Sequence, residues 1–256
     1  MTTSTNNKSF SKRRPILTVV IIEVLLLLAV FAAGAYATIK ELEYTAPVLI
    51  SFIPIALVLI VYLTWKRKWN QMGFQSLRNI PKKNWLYYLP LVVILVVISL
   101  EGFRGVTASE VLFFIFFTLL VGFVEETVYR GLILRTLLAK SVTTAVVTSS
   151  ILFSITHVLN VLSGQSTSQT ILQIIYALVM GAVLALLIVK NHNIIPLILF
   201  HFIHNLIQFL GNESTFLAYD VLIIVVLVIQ CVWLIVSLKG KVVRPQPEIN
   251  KGSSLV

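Results

Sequence analysis

The chain has 256 residues, of which 58% are hydrophobic and only 12% are charged, and its formal net charge at pH 7 is +10. With a mean hydropathy of +0.96, this composition excludes an ordinary soluble globular domain. Apolar runs close to the length of about 20 residues that a helix needs to cross a bilayer recur along the whole chain. The sequence therefore predicts an all-α protein, a polytopic transmembrane helical bundle.

Eight apolar runs predict about eight transmembrane helices. The predicted spans are 16–38, 46–65, 86–100, 111–134, 142–161, 170–189, 194–210 and 217–238. The first run follows basic residues and precedes Ala35-Tyr36-Ala37, as in a secretory signal, but it is longer than the roughly 7–15 apolar residues of such a signal. We interpret it as an uncleaved helix. The third and seventh runs are short, and we expect these helices to extend or tilt.

The positions of the basic residues predict the orientation. With the N- and C-termini in the cytoplasm, seventeen of the twenty Lys and Arg residues fall in inside segments. These segments are 1–15, 66–85, 135–141, 190–193 and 239–256. Only Lys40 and Arg104 lie in outside loops, which is the positive-inside pattern. The positive charge thus reflects topology and anionic lipid headgroups, and no basic patch with interleaved aromatic residues indicates a nucleic-acid partner.

A few polar residues lie at membrane depth, where such groups are rare and usually face the bundle interior. They are Glu125, Glu126 and Arg130 in the fourth span, His157 in the fifth, and His201, His204 and Asn205 in the seventh. Glu23 in the first span and Cys231 in the last are interpreted as packing residues. Because Cys231 is the only cysteine, an internal disulfide is excluded.

The spacing divides these residues by role. Glu126 and Arg130 are four positions apart on one helical face, so we expect them to pair and to support the helix. Glu125 is rotated from Glu126 by about 100° and can point elsewhere. A carboxylate without a fixed partner can accept and release a proton, as a general base or acid must.

The seventh span carries His201 and Asn205 four positions apart, which places two hydrogen-bonding side chains on one face. His157 stands four positions after Phe153. Amide hydrolysis needs a base near a water molecule and donors where negative charge develops, and such donors act most strongly in a dry site. His204 is interpreted as a packing residue or a hydrogen-bond partner.

Three motifs in this order resemble those of the CPBP family, which comprises the CAAX prenyl protease 2 and bacteriocin-processing (Abi) membrane endopeptidases. The motifs are Glu125-Glu126-x-x-x-Arg130, Phe153-x-x-x-His157 and His201-x-x-x-Asn205, and Gly131 after the arginine is also similar to the family. The resemblance is confined to 111–210, about four helices. The resemblance implies a catalytic core at 111–210. The apolar runs and the charge pattern predict the other segments: a cytoplasmic basic N-terminus 1–15, helices 1–3 at 16–110 with basic loop 66–85, a last helix 211–238 and a cytoplasmic basic tail 239–256.

The resemblance implies an intramembrane endopeptidase in which Glu125 activates water and His157 helps to hold and deprotonate it. His201 and Asn205 would polarise the scissile carbonyl and stabilise the oxyanion. It also implies a membrane-associated peptide or protein tail as substrate, a bacterial, Gram-positive plasma membrane, and a cavity that opens to the cytoplasm. Bacterial relatives are associated with bacteriocin immunity and peptide processing. The residues themselves select neither the substrate, the side of opening nor the oligomeric state.

The residue types leave open whether a metal ion takes part in the reaction. Glu125, His157 and His201 could bind Zn²⁺, which lowers the pKa of its bound water to about 7. The same residues could act as a metal-free glutamate protease. Because the chain has no HExxH motif and its candidate ligands lie on three helices, we favour the metal-free mechanism.

Two non-enzymatic interpretations remain from the residues. A catalytically unused membrane scaffold or regulator that binds a partner membrane protein would fit the same sequence. A transporter with a carboxylate–histidine proton relay is less compatible, because the chain has no internal repeat and no matching pair of broken helices. A purely structural polar network is disfavoured by the modest energy of interhelical hydrogen bonds, about 0.6–2 kcal/mol each.

Overall fold

The fold is that of a helical bundle, described by a computed structural model for residues 10–163, 165–212 and 217–239. Within these ranges there is no β-strand, so the predicted all-α class is confirmed. The α-helices are α1 Phe10–Arg13, α2 Pro15–Ile39, α3 Ala46–Trp65, α4 Leu89–Ser99, α5 Ala108–Glu126, α6 Arg135–Leu137, α7 Val142–Thr156, α8 Thr167–Asn191, α9 Ile195–Leu210 and α10 Leu217–Lys239. Short 3-10 helices cover Asn70–Met72, Leu77–Asn79, Lys82–Tyr88 and His157–Ser163, and a π-helix covers Thr127–Leu134.

Seven helical stretches in the described part of the chain are long and apolar enough to cross a membrane. They are Pro15–Ile39, Ala46–Trp65, Lys82–Ser99, Ala108–Leu137, Val142–Val161, Thr167–Asn191 and Tyr219–Lys239. The eighth apolar helix, α9, has 16 residues and is shorter than a full span. The polytopic bundle of about eight apolar helices is therefore confirmed, and the predicted cytoplasmic location of both termini stays a prediction.

Some boundaries differ from those predicted. The third span begins earlier, because the 3-10 helix Lys82–Tyr88 leads directly into α4. The fourth extends over Ala108–Leu137, since α5, the π-helix and α6 follow one another without a gap. Most of the predicted N-terminal segment 1–15 and almost all of the tail 239–256 lie outside the described residues.

Local sequence explains where the helices begin. Pro15, Pro47, Pro90 and Pro196 stand in the first turns of α2, α3, α4 and α9, where a missing N–H costs nothing. Helix α5 begins with a capping box, in which the Thr107 side chain accepts from the N–H of Glu110 and the Glu110 carboxylate accepts from the N–H of Thr107. Ser166 and Gln169 form a second capping box at α8, and Ser141 caps α7. These caps fix the starting points of the helices around the candidate site.

The two ends of the bundle differ in charge. One end, here called the basic end, carries the loops 66–88, 138–141 and 192–194. The other end, here called the acidic end, carries the loops 40–45 and 100–107, the residues after α7 and α9, and the start of α10. In the described chain, Lys40 and Arg104 are the basic residues of the acidic end, and its carboxylates are Glu41, Glu43, Glu101, Glu110 and Asp220.

At the basic end, loop 66–88 packs against the turn between α8 and α9. The N–H of Ile194 donates to the Gly73 carbonyl at 2.9 Å. Asn193 is fully buried, and its Nδ2 donates to the carbonyls of Gln75 and Ser76 at 3.0 and 3.1 Å. Gly73 has φ of 96° and lies so close to Arg135 and Ile194 that a side chain would clash. The loop is therefore an ordered cover over this end.

Candidate active site

A cavity of about 620 Å³ lies among α3, α5, α7, α8 and α9. Its lining includes Glu125 from α5, His157 at the end of α7, and His201 and Asn205 from α9. The structure thus brings all four residues predicted to be catalytic to one cavity. Gly131 lies inside the π-helix, where the chain continues to wind without a break.

Two glycines allow the close helix crossings that form this cavity. A Cβ on Gly122 of α5 would lie 3.2 Å from the Ile198 carbonyl and 3.3 Å from the Phe202 nitrogen in α9. A Cβ on Gly181 of α8 would lie 3.2 Å from the Cα of Ser150 in α7. Backbones can approach this closely only where a residue has no side chain, as in other membrane helix pairs. The approach of α9 to α5 at Gly122 places His201 next to the two glutamates.

Glu126 and Arg130 form a buried ion pair behind the cavity, where they contact the lining residues His201 and Phe153. Arg130 Nη1 donates to Glu126 Oε1 at 3.1 Å, and both side chains are 0% exposed. The Arg130 guanidinium also stacks over the Phe153 ring at 4.2 Å and reaches the Gly181 carbonyl at 3.5 Å. The ion pair, the cation–π contact and the hydrogen bond together fix the guanidinium between α5, α7 and α8.

His201 lies between the two glutamates. Its Nδ1 is 2.9 Å from Glu126 Oε1, and its Nε2 is 3.5 Å from Glu125 Oε2. Glu126 therefore binds Arg130 and also orients the imidazole of His201. The sequence predicted the first of these contacts but not the second, because the second depends on how closely α5 and α9 cross.

Glu125 differs from Glu126 in its surroundings. Its side chain is 13% exposed and lines the cavity. Its Oε2 is buried but accepts no hydrogen bond from the described residues. A buried carboxylate oxygen without a fixed donor, facing a polar cavity, is free to take a proton from a small molecule in that cavity.

His157 is held by the end of its own helix. Its Nδ1 lies 2.9 Å from the Phe153 carbonyl, and its ring packs edge-on against the Phe153 ring at 5.1 Å. Because a carbonyl can only accept, Nδ1 carries the proton in this hydrogen bond. In the neutral imidazole, Nε2 is then the acceptor. The spacing of four residues thus allows His157 to hydrogen-bond the Phe153 carbonyl and to pack against the Phe153 ring.

A hydrogen-bonded chain fixes the amide of Asn205. His204 Nε2 lies 2.6 Å from the Tyr176 hydroxyl, and His204 Nδ1 lies 3.2 Å from Asn205 Oδ1. With Tyr176 donating to Nε2, the proton of His204 is on Nδ1 and is donated to Asn205. The NH₂ group of Asn205 is consequently the donor end of that side chain. Tyr176 was missed by sequence reasoning, because one tyrosine in an apolar helix carries no signal.

A second buried carboxylate lies behind the α7 wall of the cavity. Glu23 of α2 is 6% exposed, and the Thr156 hydroxyl donates to its Oε1 at 3.4 Å. Thr156 also hydrogen-bonds Tyr129 and directly precedes His157. Glu23 therefore faces the interior, and it connects α2 to the residues around the cavity. The position of its partner could not be predicted, because α2 and α7 are far apart in the sequence.

The fit of a metal can be tested on the ligand geometry. In the described part of the chain, no three His, Cys, Asp or Glu residues are grouped closely enough to hold a metal ion. The ring nitrogens of His201 face the two glutamates, and Nδ1 of His157 faces a carbonyl. The Nδ1 contacts leave Nε2 of both rings as possible ligand atoms, but these atoms and Glu125 are not grouped closely enough for a three-ligand zinc site, and no step below uses a metal.

Comparison with known proteins finds one family model that is similar to the part of the chain that contains these residues. Residues 107–207 match the family model described as type II CAAX prenyl endopeptidase, Rce1-like. This segment begins at the N-cap of α5 and ends within α9, so it contains Glu125, His157, His201 and Asn205. A search among the curated proteins gave no match. By the length and composition of its helices the chain is a multi-pass membrane protein, and its residues 107–207 are similar to the type II CAAX prenyl endopeptidases described as Rce1-like.

Proposed function

We propose that this protein is an intramembrane endopeptidase that hydrolyses peptide bonds in membrane-associated peptides or protein tails. The observation that carries the proposal is the buried Oε2 of Glu125, which accepts no hydrogen bond from the described residues and lies 3.5 Å from His201 Nε2 in a cavity with His157 and Asn205. The family match supports peptidase activity in general. A bacterial plasma membrane and a role in bacteriocin immunity or peptide processing belong to the same proposal.

The proposed reaction begins with a water molecule between Glu125 and His157. The Glu125 carboxylate takes one proton from the water while the water oxygen bonds to the scissile carbonyl carbon. Nε2 of His157, the acceptor end of that ring, holds the second hydrogen of the water. The carbonyl π electrons move to its oxygen, which becomes the oxyanion of a tetrahedral intermediate.

Asn205 and His201 are proposed to bind this oxyanion. The NH₂ group of Asn205 is the donor end of its amide, because Oδ1 already accepts from His204. In its imidazolium form His201 can donate from Nε2, which lies 3.5 Å from Glu125 Oε2, once that carboxylate has taken the proton of the water, while Nδ1–H stays on Glu126. Donors fixed in advance stabilise developing charge most strongly in a site that excludes bulk water.

The intermediate collapses when the carbon–nitrogen bond breaks. The proton held by Glu125 passes to the leaving nitrogen, so the products are a carboxylic acid and an amine, and the Glu125 carboxylate is regenerated. Glu126 and Arg130 take no part in proton transfer; they hold the Glu125 segment and orient His201.

The test compares cells that express the wild-type protein with cells that express Glu125→Gln. New protein N-termini in the membrane fraction should appear with the wild type and fall at least about 100-fold with Glu125→Gln, as expected for loss of a general base. Glu110→Gln is the matched control, because Glu110 is a partly exposed carboxylate on the same helix and glutamine also suits its capping box. Equal amounts of each variant in the membrane are confirmed by immunoblot.

The alternatives have distinct outcomes in this experiment. If Glu125→Gln yields the same termini as the wild type and complements a deletion fully, the protein is not a protease of this type, and the regulator that binds a partner is the better description. Unchanged cleavage by the purified wild-type protein after chelator treatment is expected. Loss of cleavage with recovery on adding Zn²⁺ would contradict the metal-free mechanism.

A further inference from the structure

The basic and acidic ends of the bundle differ in charge and in whether they give access to the cavity. The basic residues of the basic end, in the described chain, are Lys12, Arg13, Arg14, Lys66, Arg67, Lys68, Arg78, Lys82, Lys83, Arg135, Lys140, Lys190 and Lys239. By the positive-inside rule, such an end faces the cytoplasm. The acidic end then faces the opposite side of the membrane.

The basic end is closed above the site. Between it and the cavity lies a layer of apolar side chains that are at most 1% exposed, namely Ile133, Leu134, Leu187, Ile188, Ile194 and Leu197. Loop 66–88 covers this layer, and Asn84 of the loop donates to Asn191 at 2.7 Å. No residue of this loop or of the 192–194 turn lines the cavity. A peptide has no path to Glu125 from this end without displacement of packed core residues.

The cavity reaches the surface at the acidic end. Its outer lining includes Tyr44, which is 57% exposed, the exposed Gln208, and Gln165 in the connection before α8. A second cavity of about 220 Å³ shares Gln165 and Gln208 with the first and continues towards Asp220 of α10. The two cavities together form one groove from the acidic end to the candidate site.

Glu125 and His201 lie deep in the bundle, whereas the other two candidate residues, His157 and Asn205, lie near the acidic end. His157 directly follows the last residue of α7 at that end. Asn205 is five residues, or about 8 Å along the helix axis, from the last residue of α9. Phe209 in the last turn of α9 stacks on Phe114 in the second turn of α5 at 5.0 Å, which places the end of α9 and the start of α5 at the same level.

We propose that the site is reached from the extracytoplasmic side, and that its substrates are extended peptide segments lying outside the membrane or emerging from its outer face. The inference rests on the proposed endopeptidase function, and its direction is opposite to the cytoplasmic opening that the family resemblance implies. Substrates on this side are exported peptides and the outer juxtamembrane segments of membrane proteins.

The lining of the groove suits the main chain of an extended peptide. Carboxamide side chains occur along it at Asn160, Gln165, Gln173 and Gln208. Asn160 Nδ2 donates to Gln173 Oε1 at 2.8 Å, which fixes two of these side chains relative to each other. A carboxamide both donates and accepts hydrogen bonds, so it can pair with peptide N–H and C=O groups whatever the side chains of the substrate are. The groove therefore binds an extended backbone with little demand on sequence.

The side of opening is tested by cysteine labelling in intact cells. In a Cys231→Ser background, Gln208→Cys reports on the groove, and Arg78→Cys, an exposed residue of the basic end, is the matched control. A charged, membrane-impermeant methanethiosulfonate reagent should modify Gln208→Cys in intact cells and Arg78→Cys only after permeabilisation. Labelling of Arg78→Cys in intact cells with protection of Gln208→Cys until permeabilisation would overturn the proposal. The same labelling with Glu125→Gln added makes this readout independent of activity.

The N-terminal profiling described above separates failure of this inference from failure of the proposed function. Termini that depend on Glu125 and map to outer segments of membrane or exported proteins are expected. Termini that depend on Glu125 but map to cytoplasmic segments would leave the protease standing and refute the side of access. Absence of any such termini would refute the protease itself, while the labelling would still report where the groove opens.

The binding role of the carboxamides has its own measurement. A reporter peptide taken from an identified cleavage site should show a KM about 3–10-fold higher with Gln208→Leu and a kcat within about twofold, as expected when an interaction with the bound main chain is lost. Gln208→Asn, which keeps the carboxamide, should recover part of the loss. An unchanged KM for Gln208→Leu would exclude Gln208 from substrate binding.

Discussion

The basic end and the acidic end of the bundle are built from similar apolar helices but differ in the layer that terminates them. At the basic end, Asn193 of the α8–α9 turn donates to carbonyls of loop 66–88, and Asn84 of that loop donates to Asn191 at the end of α8. The apolar side chains beneath are at most 1% exposed. At the acidic end, carboxamides surround an open groove. The comparison teaches that two separate observations, the distribution of charged residues and the packing of side chains, each distinguish one end of the bundle from the other. Together they indicate where a substrate can enter.

The largest loss of stability should follow from breaking the Glu126–Arg130 ion pair, which is buried between the two ends of the bundle. Arg130→Met leaves Glu126 buried without its cation, and loss of one partner of a buried pair costs about 3–5 kcal/mol. Arg104→Met at the acidic end breaks an ion pair whose side chains are 39% and 41% exposed, and should cost at most about 1 kcal/mol. Both are measured as free energies of unfolding by titration with SDS in mixed micelles. Equal losses would contradict the idea that burial makes the Glu126–Arg130 pair more costly to break than the exposed Arg104–Glu110 pair.

A smaller loss of stability is expected when a contact that holds loop 66–88 over the basic end is removed. Asn193→Ala removes two hydrogen bonds to loop carbonyls and one from the N–H of Ile195, and should destabilise the protein by about 2 kcal/mol. The matched change at the acidic end is Asn212→Ala, since exposed Asn212 donates to the Glu101 carbonyl at 3.0 Å. That variant should stay within about 0.5 kcal/mol. Proteolysis of loop 66–88 should become faster in Asn193→Ala alone.

The helix crossing next to the site should be sensitive to a single methyl group. Gly122→Ala brings a Cβ within 3.2–3.3 Å of backbone atoms of α9, which cannot move as a flexible side chain could. We expect a net loss of about 1 kcal/mol, because overpacking exceeds the gain in helix propensity. Gly105→Ala at the acidic end is the control, because its Cβ meets nothing within 4 Å. Because the added methyl group should push α9 and its His201 away from α5, Gly122→Ala should also reduce cleavage. Unchanged stability and unchanged cleavage would contradict a close crossing of α5 and α9.

The smallest effect is a pH dependence confined to the basic end. Burial of the imidazole, followed by the nearby Arg135 guanidinium, lowers the pKa of His192 below its ordinary value of 6.5. The unfolded chain then binds more protons at this residue than the folded protein does, so stability falls as the pH drops below about 6.5. The loss should be only a few tenths of a kcal/mol, since His192 is largely exposed and solvent screens the charge.

His192→Asn is the variant for this measurement. His192 has φ of 54°, a left-handed conformation that asparagine tolerates. The difference in stability between about pH 7.5 and about pH 5.5 should be smaller in the variant than in the wild type. A larger difference in the variant would contradict the sign of the effect.

Local contacts of the site could be predicted from the sequence. The Glu126–Arg130 pair and the hydrogen bond from His157 to the Phe153 carbonyl join residues four positions apart, so helical geometry alone places them in reach. The contacts of His201 with the two glutamates, of Tyr176 with His204 and of Thr156 with Glu23 join different helices. Those contacts depend on crossing positions set by small residues such as Gly122, and apolar sequence is too uniform to reveal them.

By itself, the sequence determined that this chain is a membrane-spanning helical bundle and which of its helices carry the costly polar groups. Hydrophobic length and the energy of buried charge act on individual residues, and both can be read along the chain. Only the tertiary structure decided that Glu126 Oε1 binds both Arg130 and His201 while Glu125 lines the cavity and contacts His201 alone, and that the described residues seal the cavity towards the basic end and leave it open towards the acidic end. The physical reason is that partners and openings arise from the packing of helices against one another, which no single helix specifies.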